Sequence, residues 1–210
     1  MNKREIVDQL LNYLLQENPN LVSNSISEDE KQRRDLLTSL INVRLPKKIP
    51  EDILALEDQL LQLELAEQTI TRVKDIPEVA AKIGIWKGYI TTLDIEAIVN
   101  AGNSYLLGCF IPHHFCIDHA IHTKAGMRLR LACADIMKGK EANTAEVIVT
   151  KAYNLPSQYV LHTVGPIVDG SLKQQDIDEL VACYRNCLDI AHQHNIRTIA
   201  FPAISTGLFK

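Results

Sequence analysis

Apolar residues in the first third of the chain recur at three- and four-residue intervals. Ile6, Leu10, Leu11, Leu14 and Leu15 follow Asn2 and Glu5, whose spacing fits a capping box. A second helix is predicted from Ser27 and Glu30 into Leu36, Leu37, Leu40 and Ile41. A third follows Pro50, a residue favoured at the first helical position, with Ile53, Leu56, Leu60 and Leu61 on one side. Stripes of this kind pack a core, and this region shows no obvious chemistry. After Pro77 the period shortens. "IGIWKGYIT" and "IEAIVNAGN" are short β-rich runs, the second ending in an Asn/Gly turn, and "AEVIVTKAY" and "YVLHTVGP" read as further strands. "QQDIDELVACYRNCLDIAHQHN" has helical spacing, and "RTIAFPAI" reads as a strand of the buried type. Strands alternating with helices imply an α/β sheet, with ligands collecting beyond the strands' carboxyl ends. The predicted division is a helical extension over residues 1–76 and an α/β domain over 77–210.

Composition narrows the function classes. The 210 residues are 46% hydrophobic and 23% charged, ordinary for a globule with a sizeable core. No apolar run approaches the roughly 20 residues that span a bilayer, so no membrane partner is expected. The opening "MNKREIVDQLLNYLLQENPN" has acidic residues in its apolar stripe and no small-residue cleavage site, unlike a signal peptide. Five cysteines, an odd number, suit a reducing cytoplasm rather than a disulfide scaffold. Residues 1–76 carry 10 Lys and Arg against 14 Asp and Glu, while residues 77–210 carry 12 of each. That neutral second part has no basic stripe to track nucleic acid, so an anionic ligand would rest on backbone amides.

Candidate chemistry concentrates in "GCFIPHHFCIDHAIH". Cys109, His114 and Cys116 are spaced C-x4-H-x-C, and thiolate and imidazole are zinc's preferred ligands. Three such ligands leave a coordination position open, as in catalytic rather than structural sites. Spacing alone leaves buried thiols and satisfied histidines as the alternative. His113 reads as a surface histidine; His119 and His122, near a helix start, read as packing or solvent-facing. His162 suits a structural role in an apolar strand, Cys183 and Cys187 suit core packing, and Cys133 has no partner nearby in sequence. Two strand ends carry small turn-forming residues, "EAIVNAGNS" and "TIAFPAISTGLF", the latter through Ser205, Thr206 and Gly207. Their amides can bind phosphate, or they can simply turn the chain. Neither a GKS/GKT nor a GxGxxG motif occurs, which disfavours a kinase or an ordinary dehydrogenase.

"IWKGYITTLDIEAIVNAGNSYLLGC", "AEVIVTKAYNLPSQYVLHTVGP" and "IAFPAISTGLF" resemble, in order, the signatures of macrodomains, which bind ADP-ribose. The resemblance covers roughly residues 83–209. It implies a three-layer α/β/α mixed sheet carrying the helical N-terminal extension. Where most macrodomains have a glycine-rich loop, "GCFIPHHFCIDHAIH" resembles the zinc-dependent branch, the bacterial protein-ADP-ribose hydrolases; "LTSLINVRLPKKIPEDIL" does too. That branch implies Zn2+ on Cys109, His114 and Cys116, and removal of mono-ADP-ribose from protein side chains, with carboxylate esters the expected bond. It places the diphosphate between Cys116, Ile117 and Asp118 on one side and Ser205, Thr206, Gly207, Leu208 and Phe209 on the other. Asn103 matches the position that orients the distal ribose, and with Cys116 is the expected catalytic residue. Asp118 either contacts ADP-ribose or caps the following helix; Phe209 stacks by the ribose or closes the core; Asn100 braces the turn. Partners in the branch resemble a lipoyl-carrier protein and a sirtuin-like ADP-ribosyltransferase.

Departures from the family pattern keep a second reading open. Tyr89, beside Ile90, stands where "GDIT" has the aspartate that holds adenine, and Gly102 replaces an alanine. The family continues past "STGLF" with a glycine, a helix and more sheet, so a C-terminally incomplete domain is expected here. A non-catalytic ADP-ribose reader and a defunct domain with a structural zinc loop are the alternatives.

Overall fold

A computed structural model describes residues 1–17 and 26–207, so Leu208 and Phe209 lie outside the described residues. The first two helices begin where side chains satisfy first-turn amides. Ahead of α1 (Lys3–Glu17), Asn2 Oδ1 accepts from the Glu5 amide at 2.9 Å, and Glu5 Oε2 accepts from the Asn2 amide at 3.1 Å. This is the expected capping box. The cap of α2 (Glu30–Val43) is Asp29 rather than Ser27: Asp29 Oδ1 accepts from the Gln32 amide at 2.8 Å, while Ser27 Oγ accepts from Asp29. A carboxylate gains from the helix dipole where a hydroxyl does not. Pro50 stands just outside α3 (Glu51–Leu65). Ile6, Leu10, Leu11, Leu14, Leu37, Leu40 and Leu60 form one apolar core among these helices.

Beyond them, β1 (Thr71–Arg72) pairs in parallel with β4 (Leu93–Asp94), and β2 (Glu78–Ala80) pairs antiparallel with β3 (Ile83–Gly84). Little of "IGIWKGYIT" is therefore strand. Ile83 and Ile85 are exposed, so no buried face holds the run extended.

The main sheet has the order β6-β7-β5-β8. Strand β5 (Ala97–Gly102) runs parallel to β7 (Tyr159–Val164) and to β8 (Ile199–Ala200), and β6 (Val147–Lys151) is antiparallel to β7. Alternating side chains divide between two faces. Ala97, Val99 and Leu161 pack with Cys183, Cys187 and Ala191 of α6 (Gln174–Gln193). Ile98 and Val160 pack with Ile121 and Ala125 of α4 (Ile117–Ala125) and Leu129 and Cys133 of α5 (Met127–Met137). The result is the expected three-layer α/β/α arrangement. Only Ile199–Ala200 of "RTIAFPAI" is strand, and Pro202, lacking an N–H, cannot extend the ladder. Among the described residues no helix is long and apolar enough to cross a membrane.

Helix α3 is joined to the layered domain by polar contacts. Arg128 pairs with Asp58 (2.7 Å) and Glu51, and Asn154 Nδ2 donates to Asp58 Oδ1 and to the Ala125 carbonyl. Glu57 is buried and accepts the Met127 amide at 2.7 Å, serving the open N-terminus of α5. Burial pushes its carboxyl up to about 7, against the pull of that amide. A raised folded-state pKa makes its stabilising share complete below the unfolded value near 4.5 and lost as pH rises through about 7. Glu57→Gln keeps an acceptor without the charge. It should melt several degrees above the parent at pH 8, at ~2–4 °C per kcal/mol for a chain of this size, with the gap closing towards pH 5. A pH-independent gap in thermal melts would contradict the assignment.

Candidate functional site

Three loops leave the carboxyl ends of the adjacent parallel strands β7, β5 and β8, where open α/β sheets form ligand crevices. The floor of this crevice is polar and buried. Asn100 and His162 are register partners on β5 and β7, and both are fully buried. Asn100 Nδ2 donates to Asp118 Oδ1 at 2.8 Å and lies 3.2 Å from His162 Nδ1. Nδ1 must then accept, so the proton sits on Nε2, which donates to Thr150 Oγ1 at 2.9 Å. Asn100 thus does more than brace a turn. Burial holds His162 neutral, with its pKa lowered to about 3, and lowers His122 well below the ordinary value. Burial also pushes Asp118 up to about 6, partly offset by Asn100 and Arg130.

His122, Cys133 and His162 converge there with their ligand atoms within 4.8 Å of one another. The hydrogen bonds weigh against coordination: His162 Nε2, 3.8 Å from Cys133 Sγ, carries a proton rather than a free lone pair. His122 Nε2 lies 3.6 Å from Asp118 Oδ1, and the His122 ring supports the loop above. Gly108 has φ +83°, and a Cβ there would come within 2.8 Å of His122 Cγ. Asn103 fixes the same residue from the other side. Its Nδ2 donates to the Gly108 carbonyl at 3.2 Å, and its Oδ1 accepts from the Tyr105 amide at 3.1 Å.

The next residue begins the expected metal trio. Cys109, His114 and Cys116 are half-buried, with all three ligand atoms within 4.8 Å of one another. Cys109 Sγ and His114 Nδ1 are 3.3 Å apart. Tetrahedral zinc, with bonds of ~2.3 Å to sulfur and ~2.0–2.1 Å to nitrogen, sets such a pair about 3.6 Å apart. Donor types and spacing both fit zinc. Cys116 caps α4, its Sγ accepting from the His119 amide at 3.3 Å. Burial, helped by Cys109 and Asp118, pushes the metal-free Cys116 thiol up to about 11, an effect a bound cation reverses.

The other expected residues fall as follows. Asp118 does not cap α4; its carboxylate turns inward to Asn100, leaving its amide for a ligand. Ile90 and Ile117 pack against one cluster beside α4, and Tyr89 is 79% exposed just before the short 3-10 turn Ile90–Thr92. On the opposite loop Ser205 has φ +54°, and its hydroxyl donates to the Pro166 carbonyl at 2.8 Å. Thr206 donates to Ala203 at 2.9 Å, so both hydroxyls are already engaged and backbone amides remain for an anion. Gly165 permits this turn, since a Cβ there would meet Ser205 Oγ at 2.2 Å. Sequence reading missed the Asn100–His162 pair and Gly165. A polar residue at the same inward position of two apolar strands was the available signal for the pair.

Layered sheet, strand-end loops and soft-donor loop together define an α/β domain with its polar side chains gathered at the strands' carboxyl ends. The family model for the Macro domain matches residues 99–210, and the chain belongs to that family. It is 43% identical to a protein-ADP-ribose hydrolase of Treponema medium, over all of this chain and 83% of that one. It is similar to a mutant Oceanobacillus iheyensis macrodomain solved with ADPR, at TM-score 0.53 and 38% identity. That match covers 58% of this chain and 64% of the solved one, under two thirds of its length. A Trypanosoma brucei macrodomain in complex with ADP-ribose aligns at TM-score 0.60 and 27% identity, over 87% of this chain and 77% of that one.

Two glycines in this crevice should respond oppositely to a methyl group. At Gly102 a Cβ would lie 3.4 Å or more from Asp118 and Leu106, ordinary contact, so Gly102→Ala should be neutral or stabilise by about 0.4–1 kcal/mol. Gly108→Ala should cost about 1–3 kcal/mol through backbone strain and the His122 ring. Urea denaturation of both variants checks the contrast, and equal effects would contradict it.

Proposed function

We propose that the protein removes mono-ADP-ribose from modified protein side chains by zinc-dependent hydrolysis. The observation that carries this reading is the Cys109–His114–Cys116 trio, set beside the amide-rich N-terminus of α4 in a macrodomain crevice. The likeness to a protein-ADP-ribose hydrolase over the whole chain supports the substrate class.

In this reading the diphosphate lies between the amides of Cys116, Ile117 and Asp118 and those of Ser205, Thr206 and Gly207. A helix start and a left-handed turn both present N–H groups to an anion. Asn103, held at Gly108 and Tyr105, keeps its second amide hydrogen for a hydroxyl of the distal ribose. Tyr89 offers an exposed ring to the adenine in place of a carboxylate. Cys109, His114 and Cys116 would hold Zn2+, which supplies Lewis acidity beside the ribose when bound. The reaction is a glycosidase-type hydrolysis of a carboxylate ester. The hydroxyl of water ends on the anomeric carbon of the ribose, its proton on the released side-chain carboxylate. We assign the carrier to the lipoyl-carrier class modified by a sirtuin-like transferase, and the compartment to the cytoplasm, on the resemblance of this loop and extension to their branch. The five free cysteines agree with that compartment.

Hydrolysis of an ADP-ribosylated protein, zinc content and calorimetry with ADP-ribose test the proposal together. Cys116→Ala should lose zinc and on the order of 10²-fold or more of turnover while still binding ADP-ribose. Full turnover after complete zinc removal would sink the metal role. Binding of ADP-ribose by the parent without any turnover would assign a reader instead.

A further inference from the structure

The residues flanking the metal trio are tied to the helical extension. Arg130 of α5 is buried, and its Nη1 lies 2.8 Å from the Ile41 carbonyl, 3.0 Å from that of Asn42 and 2.7 Å from that of Arg44. These carbonyls end α2, the negative pole of a helix, which a guanidinium satisfies both as a donor and as a charge. The same guanidinium carbon lies 4.6 Å from the centroid of the Phe110 ring, and Phe110 adjoins Cys109. Farther along the loop, Ser39 Oγ of α2 is 2.9 Å from Nε2 of His113, which adjoins His114 and is held at φ +56°. Asn42 Nδ2 of α2 is 3.4 Å from Nε2 of His119, whose amide donates to Cys116 Sγ.

Each member of the trio therefore has one immediate support, and each support leads to α2. Phe110 holds Cys109 through Arg130, His113 holds His114 through Ser39, and His119 holds Cys116 through Asn42. Such convergence is not needed merely to dock the extension. The α3 contacts of Arg128, Glu57 and Gln62 already do that, away from the loop. Ser39 and His113 are both accessible enough that their bond buries little, so its consequence lies in the backbone angle it helps fix.

We propose that α2 is a positioning element of the metal site, with Arg130 its central strut, so that the helical extension sets how tightly the trio holds zinc. This rests on the zinc reading above. Supports of metal ligands typically change metal affinity by about 10–100-fold when removed, through ligand orientation rather than fold stability. Arg130→Lys retains a cation at the end of α2, but its single ammonium cannot reproduce a planar group stacked on Phe110. Ser39→Ala removes one exposed hydroxyl and carries little risk to folding.

The test is competition for zinc between the full chain and a chromophoric chelator, with the absorption of the Co2+-loaded chain as a second readout and thermal melts of the metal-free chain as a control. Arg130→Lys and Ser39→Ala, separately and together, should weaken zinc binding by about 10-fold or more in combination and change the cobalt–thiolate bands. The metal-free melting temperature of Ser39→Ala should stay at the parent's. A parent that binds zinc, with the double variant binding within twofold of it and giving the same cobalt spectrum, overturns the role of α2 alone. A parent that takes up neither metal overturns the zinc reading and this one with it.

Discussion

An amide group has two hydrogens, and at Asn100 both are used where no water reaches. One goes to the Asp118 carboxylate and the other to His162, which passes its own proton towards Thr150. Buried polar groups of this kind cost several kcal/mol if left unpaired, so β5, β7, β6 and α4 must settle into one relative placement. A one-residue slip between β5 and β7 would turn Asn100 and His162 onto opposite faces. With α4 fixed by Asp118, its first turn and the Cys116 cap are fixed too.

The loop above that floor is held from several sides. His122 stands under Gly108, Asn103 grips the Gly108 carbonyl, and α2 reaches the loop at Phe110, His113 and His119. Between these supports lie three donors with no strong cation of their own. Arg130, a buried cation stacked on the neighbouring Phe110, spends its Nη1 hydrogens on the α2 carbonyls. The trio is consequently a place where two thiols and an imidazole are gathered without a counter-charge on the loop, beside the amides that open α4.

The layered fold and the trio were legible in the sequence because each has a short-range signature. Helical and strand periodicity pointed to an α/β sheet, soft donors within eight positions raised Cys109, His114 and Cys116, and the family resemblance supplied the three layers and singled out the trio. The Asn2 and Glu5 box was equally local. What stayed hidden depends on distant parts of the chain. His113 looked like a bystander because its partner, Ser39, lies 74 residues away in sequence. Asn100 looked like a turn residue because His162 and Asp118 meet it only across the sheet. Asp118 was open between a ligand contact and a helix cap, and the demand of the buried Asn100 amide drew its carboxylate inward, away from the cap. The start of "IGIWKGYIT" looked like strand by composition, but Ile83 and Ile85 stand exposed with no buried face to hold them extended.

The meeting of Gly165 and Ser205 has a consequence for how the crevice can diverge between relatives. With Ser205 Oγ where a Cβ of residue 165 would stand, and bonded to Pro166, the two positions share one small volume. A side chain can be gained at 165 only if the Ser205 hydroxyl and the Ile204 methyl, 2.8 Å from that Cβ, both give way, and losing the hydroxyl frees the Pro166 carbonyl. Substitutions at the two sites are therefore non-additive, and the order in which they arise decides which are tolerated. Sequence drift on one side of the Ser205 turn is gated by the residue that follows β7, a form of epistasis written into two close contacts.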